Sequence, residues 1–535
     1  MRKGFVLSVA LALFTFWLAV PFTAKAAESE GVGLAEVATV PAPIKVKIEW
    51  QKEPPPAPSP EQLLLMEECV DRVNLSIPRK GVSKREAVAP PPLTGPSYAE
   101  DPLFEPQLPE DFTFVFNEQL TAAEAVSTSN IMEPTVAAVQ MKKIFMTGNW
   151  FASRSQDHGQ TWTHIDPYTI FPPGTDYIFC CDQEIYFDTR YNVFFWSMLY
   201  LSTTNTGGFW RLAVSRNLDT WWYYDFSKEG AAADDTLPDF PHLAMTDNYL
   251  YVTWNEFIGG FFDHVFVARF PKIHLSRGMA FGYGLFTRDD VFTIRVAHNH
   301  EHGSTMYAVT NWIFGASPWN QVRVFEMPEW SNSYVWRDKI VNSWNTWDFV
   351  CTDPGGNNPC GRLDDRVLGA VAVRNNSFVE DAKDQLWISW TAGRDASYDY
   401  PYTYIVRLAI HGAGSLSDWD VAAYSHIYNS LHAFIYTALY PNPRGDIGVT
   451  TDFIGGSWYN LFCATIIDQY NGYNPGWIVY SAGSGTSGPT NNSWGDYNHV
   501  VTWWRNALQF AGSGHVRTGG RSTPIYIRFA RERDL

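Results

Sequence analysis

Ser155-Gln156-Asp157-His158-Gly159-Gln160-Thr161-Trp162 carries the strongest local indication of the architecture. The spacing is Ser-x-Asp-x-Gly-x-Thr-Trp, and the stretch lies between two β-rich runs. The Asp157 carboxylate is expected to accept hydrogen bonds within the turn, Gly159 permits a positive φ, and Trp162 packs beneath the loop. A degenerate copy, one residue shorter, runs from Ser215 to Trp221. Two such turns predict paired strands in a repeated β unit.

Short β-rich runs, broken by Gly, Asn, Asp and Pro, fill the chain from about residue 111 to its end. They group into seven loose units of three or four strands, spaced roughly 50–70 residues apart. The units start at Glu133, Asp182 and Asp239, near Phe292, Asp365 and Asn429, and at Trp494. This repetition predicts an all-β fold, a seven-bladed β-propeller over residues 111–535. Six blades, or a pair of β-sandwiches, are the alternatives.

The last unit shows only three strands. The segment Phe112–Phe116, which precedes the first unit, is expected to supply the missing outer strand. That pairing would join both ends of the chain in one blade and leave no open sheet edge.

The turn at Ser155–Trp162 is the Asp-box or BNR pattern, and through it the chain resembles the sialidase-like superfamily of β-propellers. In that family Asp boxes join the two outer strands of a blade on the face opposite the ligand site. The resemblance therefore implies a structural role for Ser155, Asp157, Gly159, Thr161 and Trp162. Sialidases also hold the substrate carboxylate with three arginines and use a Tyr nucleophile activated by a Glu, with an Asp acid/base. The Arg-Ile-Pro signature that usually precedes the first blade is absent, so no catalytic residue is carried over.

Residues 1–26 have the pattern of an export leader: a basic start, an apolar stretch and a small-x-small signal that ends at Ala26. Cleavage there predicts a secreted or periplasmic chain without a membrane span. Removing Arg2, Lys3 and Lys25 takes the basic residues from 39 to 36 against 56 acidic residues, so the net charge becomes about −20. Such a charge repels nucleic acids and anionic membrane surfaces, so neither is expected as a partner.

Residues 27–110 are Pro-rich and contain one helical candidate, Glu61–Val73. They are expected to form an extended segment that wraps or tethers the propeller. Six cysteines in an exported chain predict disulfides, and adjacent cysteines that pair with separate distant partners are the alternative. The predicted pairs are Cys180–Cys181, Cys351–Cys360 and Cys69–Cys463.

Polar residues recur where each unit begins, and in a propeller these positions surround the mouth of the central channel. The catalytic candidates are Glu133, Asp182, Asp365 and Asp496. The ligand-binding candidates are Gln183, His242, Arg295, Arg366, His432 and His499, with Asp239 beside them. Such a ring could hold a structural Ca²⁺ or act as general acid and base on a sugar, because crowded carboxylates keep one member protonated. The alternative is that these groups only cap backbone or hold water.

His298-Asn-His300-Glu-His302 is a separate candidate, since alternate residues of one strand could present three imidazoles to a metal ion. The segment leads through Gly303 into the strand Thr305–Trp312. A hairpin turn within the fourth unit, away from the ligand face, is therefore the expected structure.

Together these features favour an exported, sialidase-like propeller that recognises a glycan or cell-surface polymer at the channel mouth. Hydrolysis or elimination of that glycan, in the manner of a glycoside hydrolase, would rest on the carboxylates. The alternative is a non-catalytic binding or scaffold propeller that docks a protein or a cell-surface polymer. A metal-dependent enzyme built on the histidines is a third hypothesis.

Overall fold

The computed structural model describes most of the chain from Glu30 onward. The described residues are 30–55, 112–120, 132–139, 143–172, 174, 176–203, 207–226, 236–299, 303–315, 320–373, 384–410, 419–468, 470–471, 478–489 and 494–535. The predicted leader, the helical candidate Glu61–Val73, Cys69, His300 and His302 lie outside these ranges. Among the described residues no helix is long and apolar enough to cross a membrane.

Three short strands at the start of the described chain, here called the belt, precede the blades. They are β1 (Glu30–Leu34), β2 (Glu36–Val40) and β3 (Ile44–Lys47). A fourth strand, β4 (Phe112–Gln119), follows at residue 112.

The remaining strands form seven sheets in chain order, numbered here as blades 1 to 7. Blade 1 contains β5 (Thr135–Ala138), β6 (Ile144–Gly148), β7 (Phe151–Ser155) and β8 (Thr163–Ile165). Blade 2 contains β9 (Tyr177–Phe179), β10 (Glu184–Asp188), β11 (Val193–Ser202), β12 (Gly208–Ser215) and β13 (Thr220–Phe226). Blade 3 contains β14 (Thr236–Met245), β15 (Tyr249–Ile258), β16 (Phe261–Pro271), the short helix α1 (Lys272–Leu275) and β17 (Phe281–Arg288).

Blades 4 to 7 complete the ring. Blade 4 contains β18 (Arg295–Val296), β20 (Thr305–Thr310), β21 (Gln321–Pro328) and β22 (Ser333–Ile340). The short strand β19 (His298–Asn299) follows β18 in the chain and pairs with β23 of blade 5. Blade 5 contains β23 (Val367–Val373), β24 (Asp384–Ala392), β25 (Tyr402–Ile410) and β26 (Trp419–Ile427). Blade 6 contains β27 (Ala433–Pro441), β28 (Ile447–Gly455), β29 (Trp458–Ile467) and β30 (Tyr480–Ser484). Blade 7 contains β31 (His499–Thr502), β32 (Phe510–Thr518) and β33 (Arg521–Arg531).

The inner strands β5, β10, β14, β18, β23, β27 and β31 each contact the next one around the ring, and β31 contacts β5 again. The predicted seven-bladed propeller is therefore confirmed. Strand β4 pairs with β33 and closes blade 7, as the sequence predicted. Each strand is antiparallel to its neighbour within a blade, so the loops that lead into the inner strands all lie on one face, here called the upper face.

Large aromatic side chains, including several of the 23 tryptophans in the sequence, fill the layers between neighbouring blades. Trp196, Trp210 and Trp221 are completely buried. The Trp210 ring of blade 2 stacks on the Trp254 ring of blade 3, with ring centroids 5.9 Å apart. Rings of this size bury large apolar areas, which suits sheets packed face to face.

The Asp-box turn joins β7 to β8, the two outer strands of blade 1, and it forms the expected hydrogen bonds. The Asp157 carboxylate accepts from the Thr161 N–H at 2.8 Å and from the Thr161 hydroxyl at 2.6 Å. Gly159 has a φ of 100°, and a Cβ there would lie 2.7 Å from the Phe116 ring. The degenerate copy joins β12 to β13 in the same way. Both turns lie on the face opposite the upper face.

The belt runs around the outside of the propeller and lengthens three blades by one strand each. Strand β1 pairs with β22 of blade 4, β2 with β17 of blade 3, and β3 with β13 of blade 2. The chain then reaches blade 1, where Gln51 pairs with His164. Each belt strand hydrogen-bonds to the outer strand of a blade, so this part of residues 27–110 connects four consecutive blades along the outside of the propeller.

We expect Gly33→Val to release the first belt strand. A Cβ on Gly33 would lie 2.2 Å from the buried Tyr334 ring, so the added side chain cannot fit without moving β1. The free energy of unfolding should fall by about 1–3 kcal/mol, read from urea denaturation. Val32 points outward and is 70% exposed, so Val32→Thr is the matched control and should stay within about 0.5 kcal/mol of the wild type. Equal effects of the two substitutions would contradict this role of the belt.

Two of the three predicted disulfides are present, namely Cys180–Cys181 and Cys351–Cys360. Both precede inner strands, so both lie on the upper face. Cys463 is buried and has no disulfide partner within the described ranges. Its proposed partner, Cys69, lies outside them, and the Cys69–Cys463 bond stays a prediction that non-reducing peptide mapping would check.

Candidate functional site

The upper mouth of the central channel brings together charged residues from five blades. Glu133 precedes β5, Asp182 precedes β10, Asp239 lies at a bulge in β14, Arg366 precedes β23, and Asp496 lies just before β31. Their charges act on one another. We call this group the mouth recess. The structure thus gathers three of the four catalytic candidates and one of the ligand-binding candidates.

Glu133 and Asp182 form a carboxyl–carboxylate pair in the recess. Both side chains are buried, and they are hydrogen-bonded to each other. Burial raises the pKa of Glu133 well above its ordinary value, and the charges of Asp182 and Asp496 raise it further. Two hydrogen-bonded carboxyl groups must share a proton, so Glu133 is protonated at neutral pH. Its Oε2 atom has no hydrogen-bond partner among the described residues.

Asp182 is held in place by its backbone as well as by Glu133. Its φ is +48°, a left-handed conformation that is uncommon for this residue type. Its N–H donates to the Asn149 side chain at 3.2 Å, and its carboxylate accepts from the Phe240 N–H at 3.3 Å. The Cys180–Cys181 bond immediately precedes it. The local chain is therefore constrained on both sides of the carboxylate.

Arg366 is the one guanidinium in the mouth recess as the structure describes it. It forms an ion pair with Asp364, lies 3.8 Å from the Asp496 carboxylate, and stacks on the Phe240 ring at 4.5 Å. Burial raises the pKa of Asp496 to about 6, against the lowering effect of the Arg366 charge. The Asp496 side chain nevertheless keeps 45% of its surface exposed. Asp496 is therefore the recess carboxylate that combines a raised pKa with access from the channel.

Two phenols and a disulfide line the wall of the recess. Tyr436 and Tyr497 are buried, and burial raises the pKa of each well above its ordinary value, with nearby carboxylates adding to the shift. Both pack in one apolar cluster with Cys351 and Cys360. The Cys351–Cys360 loop is thus part of the wall on the side of blades 5 and 6, which stiffens the recess.

Three candidates from the sequence lie elsewhere. The Asp365 carboxylate accepts a hydrogen bond from the Trp344 indole at 2.6 Å, and its neighbour Asp364 contacts Arg366 instead. Gln183 supports the core, where its side chain bonds to the Trp196 indole and to the Phe151 carbonyl. His432 lies in blade 6 between Asn429 and Ser457, outside the recess.

A second polar layer lies below the recess, deeper in the channel. Its members are Glu184 and Tyr186 of blade 2, His242 of blade 3, Arg295 and His298 of blade 4, and His499 of blade 7. Burial raises the pKa of Glu184 to about 8, although the Arg295 charge lowers it. The three imidazoles are neutral, because burial and the Arg295 charge depress their pKa values. We call this group the middle layer.

The histidine-rich segment differs from the expected hairpin turn. His298 lies on β19, which pairs in parallel with β23 of blade 5, and its imidazole contacts the Tyr186 hydroxyl at 2.8 Å. It therefore faces the channel, while His300 and His302 lie outside the described ranges. Across the described residues no group of three or more His, Cys, Asp or Glu side chains is arranged to hold a metal ion. The suggested structural Ca²⁺ stays a prediction.

Asp364, Glu184, Tyr436 and Tyr497 are site residues that the sequence reasoning missed. Asp364 directly precedes the candidate Asp365, and Tyr497 directly follows the candidate Asp496. The sequence does not show to within one residue where β23 and β31 begin, so it does not show which of two neighbours faces the recess. Tyr436 has a φ of +56° at a β-bulge, where the register of β27 shifts between Ile435 and Ala438. A bulge re-aims a side chain, and regular alternation does not reveal it.

The raised pKa values of two buried carboxyl groups predict that the free energy of unfolding falls as the pH rises through those values. Burial raises the pKa of Asp452 to about 7 and that of Glu184 to about 8, and both side chains are fully buried. In the unfolded chain such groups lose their protons near pH 4. The folded protein therefore binds more protons than the unfolded chain above about pH 4, and this contribution is lost as the pH rises through 7 and 8.

We expect the free energy of unfolding to fall by about 1–2 kcal/mol between pH 7 and pH 9, measured by urea denaturation, a range in which the unfolded histidines are already largely neutral and the buried imidazoles contribute little. Asp452→Asn keeps the acceptor for the Asn498 side chain but removes the titrating group, so the variant should lose part of this dependence. A wild-type stability that does not change over this range would contradict the assignment.

No family model matches the chain, and no curated protein matches it in sequence. Among solved structures, the NanB sialidase of Streptococcus pneumoniae is similar at 10% identity and a TM-score of 0.40, covering 64% of this chain and 67% of that one. The α-L-arabinofuranosidase Arb93A of Fusarium graminearum has 10% identity and a TM-score of 0.37, covering 79% and 98%. The α-L-arabinanase of Penicillium chrysogenum has 11% identity and a TM-score of 0.36, covering 79% and 99%.

The chain has a seven-bladed β-propeller fold with an Asp-box turn between the outer strands of blade 1. The similarities above are too distant to bear on activity.

Proposed function

We propose that this propeller is an exported glycoside hydrolase that cleaves a neutral glycan in the mouth recess. The observation that carries the proposal is a protonated carboxyl group, Glu133, close to an accessible carboxylate, Asp496. Glycosidic bond cleavage needs both: an acid that protonates the departing oxygen and a carboxylate that supports attack at the anomeric carbon.

Glu133 is the proposed acid. At neutral pH its proton lies in the hydrogen bond to Asp182, and it reaches the departing oxygen when the Glu133 carboxyl turns from Asp182 toward the substrate. The leaving group takes this proton, and Glu133 and Asp182 are then both ionised. After the proton leaves, the Arg366 charge near Asp182 and Asp496 limits the repulsion among the ionised carboxylates.

Asp496 is the proposed partner carboxylate. It is ionised above about pH 6, and the nearby Arg366 favours the ionised form. Asp239 and Asp364 are further hydrogen-bond acceptors around the recess. Carboxylates of this kind bind the hydroxyl groups of sugars, which donate hydrogen bonds. The recess therefore offers catalytic and binding groups of the types that a sugar ring requires.

The charge of the recess favours a neutral substrate over an acidic one. Five carboxyl groups surround one guanidinium, and that guanidinium is already paired with Asp364. Sialidases, by contrast, gather three arginines around the substrate carboxylate. An anionic sugar would be repelled here, because buried like charges repel strongly in a low-dielectric site.

An extracytoplasmic location is part of the proposal. The leader pattern at residues 1–26 and the two disulfides both suit an oxidising compartment. The proposed partner is a glycan or cell-surface polymer, met after export.

The test is a panel of chromogenic glycosides of neutral and acidic sugars, assayed with the wild type and with Asp496→Asn. We expect turnover of a neutral glycoside, with a rate that rises as the pH passes through about 6, where Asp496 ionises. Asp496→Asn should lower kcat/KM about 10²- to 10⁴-fold and remove this limb of the pH profile.

The outcomes separate the hypotheses. Turnover of sialosides, in place of neutral glycosides, would contradict the charge argument. No turnover, together with glycan-array binding that survives Glu133→Gln and Asp496→Asn, would favour the alternative of a non-catalytic binding propeller. Asp384→Asn is a suitable control, because this partly exposed residue begins β24, away from the recess.

A further inference from the structure

A groove lies between blades 5 and 6, and we call it the side groove. It encloses about 280 Å³. Phe453, Leu461 and Val479 line it on the side of blade 6, and Tyr428, which follows the last strand of blade 5, lines it on the other side. The first three are partly exposed, and Tyr428 keeps 43% of its surface exposed. Apolar surface of this kind is unfavourable in water until another segment covers it.

The side groove suits an apolar chain segment better than a sugar. Its polar lining residues besides Tyr428 are Asn429 and Ser481. The Asn429 side chain accepts from the Leu431 N–H at 2.9 Å, and the Ser481 hydroxyl donates to the Gly483 carbonyl at 3.3 Å. Both groups are therefore engaged within their own loops, whereas small-molecule sites need several polar groups that converge on the ligand.

Cys463 lines the same groove. It lies two residues after Leu461 on β29, on the same side of the strand, and it stands opposite Ser481 of β30. Cys463 has no disulfide partner among the described residues. Four of the six cysteines are paired with each other, so Cys69 is the one that remains for it. The side groove thus contains one end of the predicted Cys69–Cys463 bond.

The sequence around Cys69 matches an apolar groove. Within residues 61–73, Leu65, Cys69 and Val73 are spaced at i, i+4 and i+8, and Met66 and Val70 lie beside them on a helical wheel. The opposite side of such a helix is mostly charged, with Glu67, Glu68, Asp71 and Arg72. A helix of this sequence has Cys69 in the middle of its apolar face.

The described chain on either side of residues 56–111 leads toward the side groove. The belt passes blades 4, 3, 2 and 1 in that order, so blades 7 and 6 come next in the same direction. Residues 56–68 span up to about 45 Å when extended. Where the described chain resumes, the Phe112 ring stacks on the Tyr480 ring, with centroids 4.0 Å apart. Tyr480 stands in the chain between Val479 and Ser481, which both line the groove.

We propose that residues 61–73 dock as a helix in the side groove, with the Cys69–Cys463 bond as the covalent anchor. The apolar face of the helix covers the groove, and the N-terminal chain then contacts all seven blades through the belt, this helix and β4. Formation of the bond takes two electrons and two protons from the two thiols. A disulfide oxidant of the exported compartment takes them up and becomes a dithiol. This inference is independent of the proposed glycan hydrolysis.

Trypsin cleavage after Arg72 in the native, full-length protein measures the docking. A docked helix is cleaved only when it opens locally, so the wild type should be cleaved slowly there. Leu65→Glu puts a charge on the apolar face and should speed this cleavage at least about 10-fold. Leu64→Glu is the matched control, because Leu64 lies on the charged side of the helix, and its rate should stay within about 2-fold of the wild type.

A substitution in the groove tests the same contact from the other side. Leu461→Asp leaves residues 61–73 unchanged but makes the groove polar, so it should also speed cleavage after Arg72 at least about 10-fold. Leu431→Asp is its control, because Leu431 belongs to the same blade, is 63% exposed and does not line the groove.

Non-reducing peptide mapping of the wild type needs no variant to fold. It should find Cys69 joined to Cys463 within one chain. A free Cys463 thiol together with rapid wild-type cleavage after Arg72 would overturn the proposal. Equal rates for Leu65→Glu and Leu64→Glu would do the same, because the bond would then tether the segment without docking it. A bond between two chains, seen as a covalent dimer, would assign the groove to a second copy and would also overturn it.

Discussion

Glu133→Gln is expected to lower kcat/KM for neutral glycosides with poor leaving groups about 10²- to 10⁴-fold while the protein stays folded. Glutamine has nearly the shape of protonated glutamic acid and can still donate to Asp182. It cannot release a proton, so the departing oxygen must leave unprotonated. The wild-type Glu133 is already neutral at pH 7, and the substitution therefore removes no folded-state charge.

The dependence on the leaving group makes this prediction specific to acid catalysis. A dinitrophenyl glycoside departs without help, so its hydrolysis by Glu133→Gln should fall by no more than about 10-fold. An equal loss for both kinds of substrate would assign Glu133 to binding or positioning in place of proton transfer. Asp365→Asn is the control, because the Asp365 side chain accepts a hydrogen bond from the Trp344 indole, and its neighbour Asp364 is the one that pairs with Arg366.

The architecture could be predicted because it depends on patterns that repeat along the chain. Each blade restarts the same alternation of short strands and turns, and the Asp box fixes which pair of strands it joins. The outer strand β4 could be predicted for a different reason, since the last unit lacked a strand and an unpaired edge is unfavourable. Errors of one or two residues at strand ends do not disturb either argument.

Individual site residues were harder to predict, because a shift of one residue along the chain changes the direction in which a side chain points. Asp364 and Asp365 are adjacent, yet one contacts Arg366 and the other the Trp344 indole. Glu133, Asp182 and Asp496 were recovered because each stands where the chain turns into the channel. His432 stands at an equivalent place in blade 6 but bonds to Asn429 and Ser457, which sequence spacing does not show.

The three strands of the belt could not be predicted from the amino-acid composition of residues 27–110. The proline-rich composition of residues 27–110 indicated an extended segment, and β1 to β3 are indeed extended. Their partners, however, lie about 180–300 residues later in the chain, in blades 2 to 4. Gly31 and Gly33 face the Trp336 and Tyr334 rings, a fit that becomes visible only once the two strands are paired.

Arg531→Met is expected to cause the largest loss of stability. Arg531 ends β33 in the closing blade, and its guanidinium forms two hydrogen bonds of 2.8 and 2.9 Å with the Asp468 carboxylate at the end of β29 in blade 6. Both side chains are completely buried. Removing the cation leaves Asp468 as an uncompensated buried charge, which should cost about 3–5 kcal/mol in urea denaturation at pH 7.

The double variant Arg531→Met/Asp468→Asn tests whether the unpaired charge of Asp468 causes the loss of stability in Arg531→Met. Asparagine keeps the acceptor that Asp468 offers to the Tyr470 and Asn471 N–H groups but carries no charge. The double variant should therefore be more stable than Arg531→Met alone, with a coupling of about 1–3 kcal/mol. The exposed pair Arg190–Asp247 is the contrasting case, and its removal should cost less than about 1 kcal/mol. Strictly additive losses at Arg531 and Asp468 would mean that packing, and not the buried charge, accounts for the stability of the closing blade.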